Sequence, residues 1–304
     1  PYWGSKSTRG ENDSLVREIG TSVSKRNPRR NMGIHMGVDQ SLNDSEYTYH
    51  SYQRYMKRYL RTVKGVDDNL KRIVDYLRET GEIENTIIIY TSDQGMMLGE
   101  HDLIDKRWML EESMRMPFIV YHPGKRQAPK ASDALINNTD FAPFILDLVS
   151  VPTPDNMQGK SFANVLDNKP LEDWRTATYY RYWMHRAHHD VPGHFGVRTK
   201  NHKLIFYVGA HFDNTPVQTD VVYEGRNWSR EDGVVPMKTP TPAGWEFYDL
   251  VNDPNELHNR YNDPRYKDII AELKIELKRQ RELYNETDQN FPHLQKIIEK
   301  HWED

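Results

Sequence analysis

The 304-residue sequence contains no cysteine, which excludes several kinds of site. A disulfide framework, a thiolate nucleophile, an iron–sulfur cluster and a cysteine-ligated zinc all need a thiol. No apolar run approaches the roughly 18 residues of a membrane-spanning helix. Lys and Arg number 41 against 45 Asp and Glu, so the net charge of -4 provides no broad attraction to nucleic acid or anionic lipid. We therefore expect neither a nucleic-acid partner nor a membrane partner.

The residues that are present favour a globular protein. The length allows one large domain or two ordinary ones. The 18 Tyr, 9 Phe and 7 Trp supply apolar area that disordered chains lack. The chain starts at Pro1 without Met or a targeting segment, and we interpret that start as the cut edge of a longer chain.

The first half of the chain has the pattern of an α/β domain. Residues 1–46 are polar and predict a long loop with short helical pieces. Apolar residues then recur at helical spacing and predict a helix over about 48–80, closed by Gly81. The runs 87–90 and 118–121 predict two strands buried on both faces, as in a parallel sheet.

A second helix and a different architecture follow. Thr139 or Asp140 can cap a helix with Pro143 in its first turn. After about residue 170 the pattern predicts short antiparallel strands, an irregular stretch over 210–243 and a last helix over about 265–284. The strands are expected at 179–183, 196–199, 203–207 and 245–249. We therefore predict an α/β domain portion over residues 1–170 and a smaller α+β subdomain over 171–304.

The densest polar cluster directly follows the first predicted strand. Asp93 and Gln94 offer a carboxylate and an amide oxygen, which are hard ligands suited to Ca²⁺ or Mg²⁺. Lys106 adds a positive charge a short loop away, useful against an anionic oxygen. Spacing alone leaves open a plain polar turn with a solvated lysine.

Motifs across this region resemble those of the type I sulfatases, members of the alkaline-phosphatase superfamily. The matching stretches run in order from about residue 47 to 284 and include 91–95, 98–101, 112–117, 138–143, 157–162, 196–199 and 248–256. The sequence is most similar to bacterial polysaccharide sulfatases, including the N-acetylglucosamine-6-sulfatase-like group. The resemblance implies the later part of an alkaline-phosphatase-like mixed sheet sandwiched by helices, with a smaller C-terminal α+β subdomain.

The resemblance also implies a reaction, which is hydrolysis of a sulfate ester on a polysaccharide or glycosaminoglycan sugar. Such enzymes oxidise a Cys or Ser to formylglycine and bind one Ca²⁺. By position, Asp93 and Gln94 resemble the later pair of calcium ligands, and Lys106 resembles the lysine that contacts the sulfate. Sulfated carbohydrate is then the expected substrate, in the periplasm or outside the cell, or in the lysosome of a eukaryote.

Three further residues are candidates for binding substrate, each with a structural alternative. His101 either lines the site or makes a structural hydrogen bond. Arg107 either meets a sugar group or lies at the surface, and His194 precedes a predicted strand close to the family's pocket. Arg198 and Arg115 are expected in ion pairs instead. The histidine-rich segment 185–190 resembles a zinc cluster only superficially.

The sequence also departs from the family pattern. It has no [Cys/Ser]-x-[Pro/Ala]-x-Arg motif, because the nearest candidate, residues 5–9, has Ser7 where Pro or Ala is needed. The early pair of aspartate ligands and the usual acid are missing as well. We therefore expect a fragment that lacks roughly 150–250 upstream residues and is inactive alone. Two alternatives remain: a phosphodiesterase or phosphonate monoester hydrolase of the same superfamily, and a non-catalytic relative that binds sulfated sugar.

Overall fold

A computed structural model describes residues 37–125, 131–186, 191–213 and 240–304. They form two compact units. The first unit contains Gly99–Met114 and Arg175–Asp304, and the second contains residues 37–98 and Arg115–Trp174. Most of the two predicted loops, over 1–46 and 210–243, lies outside the described residues. In the described part of the chain, no helix has both the length and the apolar character needed to cross a membrane.

The long helix α1 of the second unit spans Asp44–Glu79 and starts ahead of the predicted residue 48. Asn43 sets this start, because its side chain accepts a hydrogen bond from the backbone N–H of Glu46 at 3.0 Å. The helix ends as predicted before Gly81, whose φ of 74° is typical of the residue that follows a helix. Part of its apolar stripe stays 47–56 % exposed, at Leu60, Val63 and Ile73.

The two predicted strands of this unit are present as β1 (Ile88–Thr91) and β4 (Phe118–Tyr121). The expectation that they are buried on both faces in a parallel sheet is wrong, because they pair with each other antiparallel. Ile119 in β4 is 61 % exposed, so burial alternates along the strand. An apolar run predicts a strand but does not determine its direction or its number of covered faces.

The predicted helix with Pro143 in its first turn is α3 (Phe141–Leu148), and Asp140 occupies its N-cap position without a capping hydrogen bond from its side chain. Asn137 caps the preceding 3₁₀ turn. The side chain of Asp140 accepts the Asn137 backbone N–H at 2.7 Å and thereby completes a capping box on the preceding 3₁₀ turn. Phe144 stacks on Phe162 with ring centroids 4.2 Å apart. This unit also contains the short strand β2 (Met97–Leu98).

The first unit is built on a four-stranded antiparallel sheet, as predicted. Its strands follow in chain order, with β6 and β7 in the centre. They are β5 (Ala177–Tyr182), β6 (His194–Thr199), β7 (His202–Tyr207) and β8 (Gly244–Asp249). The same unit contains the short strand β3 (Ile104–Asp105) and one helical turn, α2 (Glu111–Met114).

Two helices cover one face of this sheet. The predicted last helix is present as α4 (Lys267–Leu283), but the sequence reasoning missed a further helix, α5 (Pro292–His301). Pro292 in the first turn of α5 is a residue type that often begins helices, so the sequence did contain a signal for this helix. The core contains Phe195, Val197, Leu204, Phe206 and Trp245 from the sheet, Leu273 and Leu277 from α4, and Leu294 and Ile298 from α5.

We expect Gly196→Ala to lower the free energy of unfolding by about 1–3 kcal/mol, because β6 has no room for a side chain at this position. A Cβ at Gly196 would lie 2.4 Å from the carbonyl oxygen of Leu204 and 2.5 Å from Sδ of Met109. Urea unfolding of the full-length protein measures the loss. The matched control is Gly65→Ala in α1, where a Cβ meets nothing within 4 Å and should stabilise by about 0.5–1 kcal/mol. Equal stability of Gly196→Ala and the parent would contradict this packing.

Candidate active site

The turn after β1 presents two oxygen ligands. Ser92 Oγ donates a hydrogen bond to the backbone oxygen of Gln94 at 2.5 Å, and the Gln94 N–H donates to Asp93 Oδ1 at 3.1 Å. The Asp93 side chain is exposed. Within the described residues, the side-chain amide of Gln94 makes no hydrogen bond. The turn therefore holds a carboxylate and an amide oxygen available to a ligand.

This pair fits Ca²⁺ as part of a ligand set. Calcium takes six to eight oxygen ligands, and carboxylate and amide oxygens are among those it prefers. The described residues contain no group of three or more His, Asp or Glu that could hold a metal ion. Asp93 and Gln94 therefore need further ligands from other segments to complete a calcium site.

The 99–107 loop in the first unit holds an unusual backbone conformation. Gly99 has a φ of 119°, and three residues that are not glycine have positive φ, at 55° for His101, 73° for Asp105 and 87° for Arg107. Each such residue costs about 1–3 kcal/mol and persists only where the surrounding structure enforces it. Strain of this kind concentrates at functional sites, which makes the loop a candidate.

Lys106 lies in this loop and is half-buried. Its two neighbours, Asp105 and Arg107, form an ion pair with each other. Among the residues that the structure describes, the Lys106 ammonium has neither a hydrogen bond nor an ion pair. A partly buried cation of this kind is suited to receive an anionic group.

The stretch that follows Lys106 is anchored on the sheet. The Tyr180 hydroxyl donates to the backbone oxygen of Arg107 at 2.8 Å. Burial raises the pKa of Tyr180 far above neutrality, so its hydroxyl keeps this proton. Trp108 is buried and stacks on His194 with ring centroids 6.3 Å apart. The anchoring holds the end of the loop beside β5 and β6.

The two candidate histidines are both buried in the first unit. The side chain of His101 has no exposed area, and its Nε2 lies 3.8 Å from Oε2 of Glu112. His194 in β6 is enclosed by aromatic rings, and its Nδ1 lies 2.7 Å from the backbone oxygen of Pro192. The rings are those of Trp108, Tyr180, Tyr182 and Tyr207.

The residues set aside from the site are also placed. Arg198 forms the predicted ion pair, through two hydrogen bonds to Glu111 at 2.9 and 3.1 Å. Arg115 is exposed and has no ion pair in the described residues, contrary to the expectation. His185 is buried, and its Nδ1 accepts the Gly193 N–H at 3.0 Å. The rest of the superficially zinc-like segment, 187–190, lies outside the described residues.

Sequence reasoning missed a buried charge network formed by Glu111, Arg198, Lys203 and Glu256. Lys203 Nζ lies 3.0 Å from Glu111 Oε1 and 2.6 Å from Glu256 Oε1, and the side chains of Lys203 and Glu256 have no exposed area. Burial alone would raise the pKa of Glu111, but the charges of Lys203 and Arg198 outweigh it and lower the pKa to about 2. The sequence signal that could have indicated this network is Lys203, a lysine within the largely apolar strand β7.

Two family models match the chain. The model of the sulfatase family matches residues 11–151. The model described as N-sulphoglucosamine sulphohydrolase, C-terminal, matches residues 99–218 and 239–283. The second match includes the 99–107 loop and the four-stranded sheet.

The chain is also similar to individual proteins of the same superfamily. The chain is 39 % identical over 239 residues to an N-acetylglucosamine-6-O-sulfatase of Bacteroides thetaiotaomicron, a match that covers 78 % of this chain and 37 % of that protein. It is 29 % identical over 215 residues to the multifunctional alkaline phosphatase superfamily protein PehA of Trinickia caryophylli, covering 70 % of this chain and 38 % of the relative. The chain thus spans less than half the length of these relatives.

Solved structures share the fold of this chain, and the first described here covers a larger share of it than the sequence matches do. A structure in complex with its substrate D-glucosamine-2-N,6-O-disulfate has a TM-score of 0.67 and 35 % identity, covering 86 % of this chain and 47 % of that chain. A phosphonate monoester hydrolase from Silicibacter pomeroyi has a TM-score of 0.60 at 20 % identity, covering 82 % of this chain and 44 % of that chain, which shows the shared fold alone. On this evidence the chain belongs to the sulfatase family of the alkaline-phosphatase superfamily.

Proposed function

We propose that the chain is the C-terminal portion of a sulfatase that hydrolyses sulfate esters on polysaccharide or glycosaminoglycan sugars. The observation that carries this proposal is the 39 % identity to an N-acetylglucosamine-6-O-sulfatase, of which the chain covers 37 %. The portion would comprise the later part of the catalytic domain, over residues 1–170, and the C-terminal subdomain, over 171–304.

Exposed apolar surface supports the view that more of the protein exists. Leu60, Val63 and Ile73 of α1 and Ile119 of β4 are each about half exposed or more. Large apolar side chains exposed along a helix or strand are often covered by another element. An upstream portion of the same protein is the simplest cover.

The residues of this chain have distinct proposed roles. When bound, Ca²⁺ would neutralise sulfate oxygens, and a formylglycine from the upstream portion would supply the nucleophile. Asp93 and Gln94 would hold the ion through their side-chain oxygens. Lys106 would contact the sulfate and stabilise the negative charge that develops on the bridging oxygen.

The remaining candidates would act around that centre. Arg107 is partly exposed and would bind a sugar group, although its pairing with Asp105 must then open or be shared. The burial of His101 and His194 favours a role behind the substrate pocket, where they would hold the loop and the β6 strand in place. We propose a periplasmic or secreted location, because sulfated polysaccharides occur outside the cell.

The substrate we favour is a 6-O-sulfated glucosamine unit. The supporting observations are the description of the relative from Bacteroides and the disulfated glucosamine bound in the structure at 35 % identity. Selectivity among sugars would depend on residues of both portions of the protein.

The decisive experiment starts from the full open reading frame. We expect a product well above 35.9 kDa with an upstream [Cys/Ser]-x-[Pro/Ala]-x-Arg motif, and a tryptic peptide that mass spectrometry shows to be converted to formylglycine. The purified protein should release sulfate from N-acetylglucosamine-6-sulfate and lose that activity on calcium chelation. Hydrolysis of phenylphosphonate instead would favour the phosphonate monoester hydrolase. Binding of sulfated sugar without turnover would favour a non-catalytic relative.

A further inference from the structure

The buried charge network connects three regions that are distant in the sequence: the start of α2, the adjacent strands β6 and β7, and the turn after β8. Glu111 starts α2, Arg198 lies in β6, Lys203 lies in β7, and Glu256 lies in the turn after β8. Lys203 bridges the two glutamates, at 3.0 Å from Glu111 and 2.6 Å from Glu256. The second oxygen of Glu256 accepts the backbone N–H of Glu111 at 2.7 Å.

The opposite charges of this network stabilise one another in a buried setting. Charges buried away from water are destabilising unless an opposite charge lies close by. Glu256 has a φ of 52°, so its turn is held in a conformation that non-glycine residues rarely adopt. The carboxylate of Glu256 is fully buried in this turn, where it contacts the Lys203 ammonium and the backbone N–H of Glu111.

The network joins the stretch that carries Lys106. Between Lys106 and Glu111, the backbone of Arg107 is bound by Tyr180, and Met109 is buried with its Sδ against Gly196. Glu111 ends this anchored stretch, and Arg198 and Lys203 hold its carboxylate while Glu256 holds its N–H. The stretch that follows Lys106 is thus held at Arg107, Met109 and Glu111, and Glu111 is the anchor that belongs to the charge network.

We propose that Glu256, acting through Lys203 and Glu111, is a positioning residue for Lys106. This inference rests on the proposed function, because it gives Lys106 a catalytic task. The C-terminal turn at 253–256, distant in sequence from the loop, then sets the geometry of the sulfate-contacting lysine. The network is more than a stabilising feature of the subdomain.

The first test compares two isosteric substitutions in the full-length enzyme. Glu256→Gln removes a buried carboxylate from the network. Asp288→Asn is the matched control, because Asp288 is equally buried and binds the guanidinium groups of Arg181 and Arg281, each at 2.6 Å. We expect Glu256→Gln to lower kcat about tenfold with little change in KM, and Asp288→Asn to change kcat less than twofold. Equal losses in the two variants would overturn the proposal.

A double-mutant cycle then asks whether the effect acts through Lys106. In a Lys106→Ala background, Glu256→Gln should change kcat less than twofold, since the group it positions is gone. A further tenfold loss there would mean that Glu256 acts independently and would overturn the proposal.

Amide hydrogen exchange separates this inference from the sulfatase assignment. Glu256→Gln should speed exchange in residues 100–110 of the full-length protein, whereas Asp288→Asn should leave them unchanged. This readout needs no turnover, so it applies even if the protein hydrolyses no sulfate ester. Unchanged exchange at 100–110 in Glu256→Gln would overturn the positioning role.

Discussion

Replacing Lys106 with alanine in the full-length enzyme should lower kcat for sulfate-ester hydrolysis by about 10²–10³-fold, the usual loss when one preorganised charge-stabilising donor is removed. The reason is its setting. The ammonium is half-buried, and within the described part of the chain no carboxylate neutralises it. Its charge is thus available to an oxygen that becomes negative in the transition state.

Steady-state kinetics on N-acetylglucosamine-6-sulfate check this prediction. The fall should be mainly in kcat, because the interaction strengthens as charge develops on the leaving oxygen. Lys64→Ala is a suitable control, since Lys64 lies on the exposed surface of α1 beside Asp68. A Lys106→Ala enzyme within threefold of the parent kcat would exclude Lys106 from the reaction.

Replacing Lys203 with methionine should lower the free energy of unfolding by about 3–5 kcal/mol, because removal of one partner leaves buried charge uncompensated. Glu256 would lose its cation altogether, whereas Glu111 would keep Arg198. Urea unfolding of the full-length protein measures the loss. Lys71→Met, which removes an exposed partner of Asp75, should stay within about 0.5 kcal/mol of the parent.

A second variant separates charge from packing at the same position. Lys203→Met combined with Glu256→Leu removes the stranded carboxylate and should recover at least half of the lost stability. If the double variant is no more stable than Lys203→Met, the loss comes from packing around β7. The charge account of the network would then be wrong.

The secondary structure was largely predictable because its signals are local. The spacing of apolar residues predicted α1, and Gly81 marked its end. The four strands of the C-terminal sheet and α4 also lie where their patterns placed them. The helix α5 was missed, although Pro292 gave a start signal for it.

The direction of strand pairing was not predictable from the residues. The apolar run in β1 predicts a strand. Its antiparallel pairing with β4 depends on the path that the chain takes between the two strands. Within the described residues, only one face of β4 is covered, although all four of its residues are apolar or aromatic.

The candidate site divides in the same way. Asp93, Gln94 and Lys106 could be proposed because each lies in a short motif of consecutive residues, and their roles stay predictions. The enclosure of His194 by Trp108 and three tyrosines could not be read in that way, because the rings come from separate segments.

By itself the sequence predicted α1, α3, α4, the strands β1 and β4 to β8, the sulfatase motifs and the absence of cysteine chemistry, since all of these depend on residue types and short spacings. Only the tertiary structure decided which charges are buried together. Glu111 and Glu256 are separated by 145 positions, and they share one lysine only because the turn after β8 folds back onto α2. Burial gives that contact its energy, and burial is a property of the folded chain.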